Sequence, residues 1–214
     1  MIDINKERPP VEVEKLNHDE DTLDFFDTYF QHNFRWTYNM GHPNDNKYFC
    51  SDYTVDGLYV QQDPFVKRIW QKACAKFNIH PLSKVGRCYL LGQTQGLDGP
   101  CHDDYDVNEN PNIRTLLYYP IFNPHRKHKG TQFKFENEDE VEIQEVPYEQ
   151  DSAVFFDAGV THRGLSTTDT KSLRVSLVWQ CIDVNIQMKH CFEDTCGNDE
   201  RLDNIIGPII PGKK

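Results

Sequence analysis

Apolar positions in the first third of the chain recur at helical spacing, whereas in the remainder they alternate. Residues 1–16 are charged and carry Pro9-Pro10, a pattern that fits a tail or a first edge strand. From Asn17 the pattern turns helical. Asn17 can cap with Glu20 at the third helical position, and Leu23, Phe26 and Phe30 then share one face, so a helix is expected to about Asn33. A second helix should start at Asp63-Pro64, a capping residue followed by proline at the first helical position. Val66, Ile69, Trp70, Ala73 and Phe77 form its stripe, and it should end near Asn78.

Beyond residue 84, short runs rich in β-branched and aromatic residues take over: VGRCYLL (85–91), IRTLLYYPIF (113–122), TQFKF (131–135), VEIQEV (141–146), AVFFD (153–157) and LRVSLVWQCI (173–182). Turn residues separate them, and FENEDEV reads as a hairpin loop. Two helices followed by a run of strands predict an α+β fold with the helices on one face of a β-sandwich or barrel. One domain is expected over 1–214: a helical support (1–84), a β core (85–182) and a C-terminal extension (183–214) that mixes polar residues with Ile205, Ile206, Ile209 and Ile210.

Composition narrows the function classes. With 37% hydrophobic and 27% charged residues, the chain is globular in character, and at this length it can bury roughly 70% of its unfolded surface. A net charge of −11 disfavours a grip on a phosphate backbone, so nucleic acid is not an expected partner. The start MIDINKERPPVEVEK has no apolar leader core and no segment is apolar enough to span a bilayer, so no membrane role and a cytoplasmic location are expected. Seven irregularly spaced cysteines argue for free thiols in a reducing compartment. Cys181, His190, Cys191 and Cys196 lack the paired short spacing of a structural zinc site.

The stretch GPCHDDYD (99–106) sets one imidazole among carboxylates just after a Gly-Pro turn signal. On an extended backbone the partner of His102 is the residue two positions on, which selects Asp104 over Asp103. A third ligand must come from elsewhere, and FFDAGVTHRGLS places His162 just past a strand and a Gly-containing turn. Two histidines and one carboxylate on one face of an octahedron leave positions open for substrate-side chemistry, as in non-haem Fe(II) oxygenases. Downstream, Arg174 opens RVSLVWQ with Ser176 on the same strand face. An inward arginine there is costly to bury without a carboxylate, and a dicarboxylate co-substrate would supply one, with the Ser176 hydroxyl as a further donor. Lys171 is a rival anchor, but it lies in the polar loop STTDTKS. Asp103, Asp106 and Glu109 read as a solvated rim.

HDD at 102–104, THRG around His162 and RVS at 174–176 together resemble the prolyl 4-hydroxylase-like branch of the 2-oxoglutarate- and Fe(II)-dependent dioxygenases, over roughly residues 85–182. The resemblance implies a double-stranded β-helix (jelly-roll) core with N-terminal supporting helices. It also implies Fe(II) held by His102, Asp104 and His162, and 2-oxoglutarate anchored by Arg174, with ascorbate as a candidate accessory reductant. Tyr119 matches the family's tyrosine that also contacts the far carboxylate; Tyr118 would serve in the other strand register, and Tyr89 is a weaker candidate. The chain departs from the family in two turns, with only Gly130 where a glycine pair is common and Asp151-Ser152 where a glycine is usual.

Under this resemblance the reaction is hydroxylation of a C–H bond coupled to decarboxylation of 2-oxoglutarate to succinate. Asp104, in place of a small residue that would admit halide, favours hydroxylation over halogenation. The branch implies a peptidyl proline, and Trp36, Tyr38, Tyr53 and Tyr59, expected in loops, could line a groove for it. Other protein side chains, a free amino acid and a nucleobase are alternative substrates. A non-catalytic barrel binding metal or a carboxylate is the alternative outside enzymes, and a zinc hydrolase on the same triad would leave Arg174 without a role.

Overall fold

The structure is a computed structural model that describes residues 10–32, 36–39, 48–52, 54–55, 58–59, 63–80, 83–105, 112–121, 128–136, 141–168 and 173–183. In chain order the elements are β1 (Val11–Lys15), α1 (Glu20–His32), β2 (Thr37–Asn39), β3 (Tyr48–Asp52), β4 (Thr54–Val55), β5 (Leu58–Tyr59) and α2 (Pro64–Lys76). The second part adds β6 (Lys84–Gln93), β7 (Ile113–Tyr118), β8 (Thr131–Glu136), β9 (Val141–Val146), β10 (Ser152–Asp157), β11 (His162–Gly164) and β12 (Arg174–Ile182).

Seven strands form an antiparallel sheet in the order β1-β10-β7-β12-β6-β3-β2, and β11-β8-β9 form a second, smaller sheet; β4 pairs with β5. The alternation read in the sequence decides what each face of the large sheet meets. On one face Cys88, Leu90, Leu116, Tyr118, Phe155, Val175, Leu177 and Trp179 pack with Phe26 and Phe30 of α1 and with Val66, Ile69 and Ala73 of α2. On the other, Leu117, Tyr119, Val154, Phe156 and Val178 pack with Phe133 of β8 and Val146 of β9. The described residues are thus mostly β, with two helices covering one face of the large sheet and the smaller sheet facing the other.

The helices start for local reasons. Asp63 caps α2 through bonds from the Phe65 and Val66 amides, with Pro64 following as expected, and the helix gives way at Phe77 before Asn78 at φ 53°. At α1 the cap is Asp19, whose carboxylate accepts from the Thr22 amide at 2.8 Å. Asn17 is not the cap: it stands in the left-handed region at φ 57°, which its short polar side chain tolerates, and turns the chain from β1 into the helix. Of the two expectations for residues 1–16, Val11–Lys15 supply the edge strand as β1, paired with β10, and residues 1–9 lie outside the described residues. The expected loop region is instead partly strand, because β3 pairs with β6 and carries β2 with it. Trp36 packs against the helix-side cluster, which removes it from a groove between the sheets, while Tyr38 is exposed beside Phe49. Asn33, Tyr53, residues 137–140 of the expected hairpin loop and the extension from 184 lie outside the described residues.

Candidate metal centre

His102, Asp104 and His162 come together although 60 residues separate the two histidines (162 − 102 = 60), and their donor atoms all lie within 4.8 Å of one another. An antiparallel bridge does the joining. The His102 amide donates to the His162 carbonyl at 3.0 Å, and the His162 amide donates back to the His102 carbonyl at 2.9 Å. Directly paired residues put their side chains on the same face, so the two imidazoles lie side by side, centroids 4.6 Å apart. Asp104, two residues on, is fixed by its amide bond to the Ala158 carbonyl at 2.8 Å. Asp103 turns the other way, is exposed, and accepts from the Thr161 hydroxyl at 2.6 Å.

The donor chemistry fits a resident cation. Nδ1 of His102 lies 3.1 Å from the Pro100 carbonyl and Nδ1 of His162 lies 2.9 Å from the Val160 carbonyl. A carbonyl only accepts, so each ring carries its proton on Nδ1 when neutral and presents a bare Nε2 lone pair. Both Nε2 atoms face the same carboxylate, each 3.8 Å from one oxygen of Asp104. A cation shared by the three side chains would draw these atoms closer. Burial against Phe133 and Phe156 holds His162 below the usual imidazole range, a shift that favours the ligating form, although the Asp104 carboxylate opposes it. Thr115 of β7 donates to Asp104 Oδ2 at 2.5 Å and fixes the carboxylate plane. The His102 side chain is 50% exposed, so the cluster has an open side.

The other expected site residues gather on the inner face of the large sheet. Arg174 is 1% exposed and spends all five donors. Nε goes to the Lys129 carbonyl (2.8 Å), Nη1 to Gln93 Oε1 (2.6 Å) and Ser176 Oγ (3.0 Å), and Nη2 to the Gly130 carbonyl (3.0 Å) and Thr131 Oγ1 (3.1 Å). The Tyr119 hydroxyl bonds to Thr131 Oγ1 at 2.8 Å, and burial pushes its phenol up, so it stays protonated despite the nearby guanidinium. The rings of Tyr119 and Tyr148 flank the guanidinium carbon at 5.5 and 5.4 Å. Tyr118 faces the helices instead, donating to Asp151 at 3.0 Å. Tyr89 shares the inner face but stands opposite Val178, four residues along β12 from Arg174, beneath the Arg87 guanidinium at 4.4 Å. Lys171, Asp106, Glu109, His190, Cys191 and Cys196 lie outside the described residues. The five described cysteines are free thiols.

Gln93, Thr115, Thr131 and Tyr148 escaped sequence reasoning. Gln93 was findable only through register, since it is the direct cross-strand partner of Arg174. Gly130 has a clear physical reason to be glycine, because a Cβ there would lie 1.7 Å from the Val146 carbonyl oxygen.

No protein-family model matches the chain, and no curated protein matches it. Solved structures do. An oxidoreductase of the 2OG-Fe(II) oxygenase family from Burkholderia pseudomallei aligns with a TM-score of 0.56 at 11% identity, over 82% of this chain and 85% of that one. A prolyl hydroxylase from Trichoplax adhaerens, solved with a hypoxia-inducible-factor peptide fragment, aligns with a TM-score of 0.57 at 11% identity, over 87% and 88%. A non-haem α-ketoglutarate-dependent carbocyclase from nogalamycin biosynthesis aligns with a TM-score of 0.58 at 12% identity, over 88% of each chain. At these identities the likeness is one of fold: the chain shares the fold of solved 2-oxoglutarate- and Fe(II)-dependent oxygenases, prolyl hydroxylases among them.

Proposed function

We propose that this chain is an Fe(II)- and 2-oxoglutarate-dependent oxygenase that hydroxylates a C–H bond, with a peptidyl proline as its substrate. The observation that carries the reading is the convergence of two lone-pair-bearing Nε2 atoms and one carboxylate at His102, His162 and Asp104. The strand order supports a double-stranded β-helix. Counting from β6, with the bridged segment at His102 as the second of eight, one sheet runs six, three, eight, one and the other two, seven, four, five.

Bound iron and 2-oxoglutarate would supply the oxidising chemistry, ending in succinate and a hydroxylated product. The chain's own residues do the rest. His102, Asp104 and His162 would hold the cation on one face and leave the opposite side open. Arg174 would receive the far carboxylate of the co-substrate, helped by the Ser176 hydroxyl, whose proton is free to point outward because its oxygen already accepts from Nη1. The Tyr119–Thr131 pair offers one further hydroxyl beside the guanidinium. Leu117, Val154, Phe156 and Val178 line the inner face with apolar surface and keep water away from the space between anchor and metal.

A proline-containing peptide incubated with Fe(II), 2-oxoglutarate and O2 should gain one oxygen on proline, with succinate formed in equal amount. His102→Ala should abolish both. Succinate release without peptide oxidation, but with oxidation of free amino acids or a nucleobase, would replace the substrate assignment; no succinate with any of them would remove the enzyme.

A further inference from the structure

Two arginines are buried among the described residues, and the fold treats them oppositely. Arg114, 4% exposed, is met by Asp157 at 2.9 Å, Asp183 at 3.9 Å and Glu12 at 4.0 Å. Arg174, 1% exposed, has its five donors on two backbone carbonyls adjoining β8, two hydroxyls and one amide, all neutral, and no described carboxylate comes within ion-pair distance. Among the described residues its hydrogen bonds are satisfied and its charge is not. A guanidinium stays charged in any protein, and a buried charge without a counter-ion is costly.

The shortest of those five bonds, 2.6 Å, is to Gln93 Oε1. Gln93 is itself locked: its Nε2 donates to the Leu97 carbonyl at 3.2 Å and the Gly164 carbonyl at 3.1 Å, which fixes the amide with its oxygen toward Arg174. Gly164 leaves it little room to move, since a Cβ there would sit 2.7 Å from Oε1. A glutamate in the same place would set a full negative charge against Nη1, but with its second oxygen turned against the Leu97 and Gly164 carbonyls that now accept from Nε2. We infer that Gln93 is a specificity-determining residue: by meeting Arg174 with a neutral amide, held oxygen-first by those two carbonyls, it leaves the guanidinium's charge for an incoming carboxylate.

The inference rests on the proposed 2-oxoglutarate site, and its test separates the two. Wild type, Gln93→Glu and Gln93→Met are loaded with Mn(II) and titrated calorimetrically with 2-oxoglutarate, after a separate Mn(II) titration of each. Both variants lose the two amide N–H bonds, but only glutamate adds a negative charge, and it alone faces the two carbonyls with an oxygen, a perturbation that the Mn(II) titration of each variant registers. Mn(II) affinity should be alike in the two variants, while 2-oxoglutarate affinity falls about a hundredfold in Gln93→Glu and less than about fivefold in Gln93→Met. Equal 2-oxoglutarate binding by the two variants, strong or weak, overturns the inference and leaves the functional reading standing; a wild type that binds no 2-oxoglutarate overturns both. Independently of whether Gln93→Glu folds, wild type and Gln93→Met should bind 2-oxoglutarate at least about thirtyfold more tightly than its 5-amide. Equal affinity for the acid and the amide would show that the charge is not available, which also overturns the inference.

Discussion

A carboxylate proposed to serve a cation needs its remaining lone pairs fixed, and Thr115 of β7 donates to Asp104 in this way. Thr115→Val keeps the shape and deletes the donor, so Co(II) affinity measured by titration should drop about 10- to 100-fold, and Thr115→Ser should restore most of it. At the anchor, Arg174→Lys keeps one charge but gives up the planar fork and its flanking by Tyr119 and Tyr148. Affinity for 2-oxoglutarate should fall at least about tenfold while Co(II) affinity is retained. The side chains proposed to ligate and anchor were legible because each had a chemical reason visible in one dimension: a His-x-Asp spacing, an arginine out of place on an alternating strand. Those that support them were not. Gln93 meets Arg174 across 81 residues and Thr115 meets Asp104 across 11, and neither pairing exists before strand register does.

The connection between β1 and α1 is held down by one residue of the turn that precedes β10. Asp151, at φ 65° where glycine is the easy choice, accepts from the His18 amide at 3.0 Å, lies 2.6 Å from His18 Nδ1 and accepts from the Tyr118 hydroxyl at 3.0 Å. Burial alone would push its carboxyl up, but the bonds from His18 and Tyr118 outweigh it and hold the group below the usual carboxylate range. A carboxyl depressed in the folded state stabilises above its unfolded value of about 3.9 and loses that contribution as pH falls through the folded one. Wild type should therefore lose more stability than Asp151→Asn between pH 5 and pH 3, the limits of a urea-unfolding series, each about one unit from that value. Asp151→Ala, which strands buried donors and places a Cβ residue without side-chain compensation in the left-handed region, should cost about 3 kcal/mol or more at neutral pH. At this scale the sequence was readable wherever an element was long and periodic, as in α2 and β12. It was misleading where elements are very short, as in β2, β4 and β5, or where two capping residues compete, as Asn17 and Asp19 do.

Across the described residues the molecule is a large sheet whose one face is a helix-covered core and whose other face, closed by a smaller sheet, holds an apolar wall with the His102, Asp104 and His162 cluster at one place and a buried guanidinium at another. With a net charge of −11 the chain should show no salt-dependent retention on duplex DNA, a cheap check on the nucleobase alternative. Among the described residues no helix is long and apolar enough to cross a membrane. The overall arrangement was legible from two helical periods followed by alternation. How the two sheets bring residues 102, 104 and 162 together was not, because the cluster is made by backbone bonds between His102 and His162 and between Asp104 and Ala158. The proposed function depends on those three side chains chelating one ion beside a bound 2-oxoglutarate. Anaerobic titration of the protein with Fe(II) and then 2-oxoglutarate should raise a weak visible charge-transfer band that requires both additions and disappears in His102→Ala and Asp104→Ala. No band in the wild type, or a band unchanged in both variants, would contradict the account.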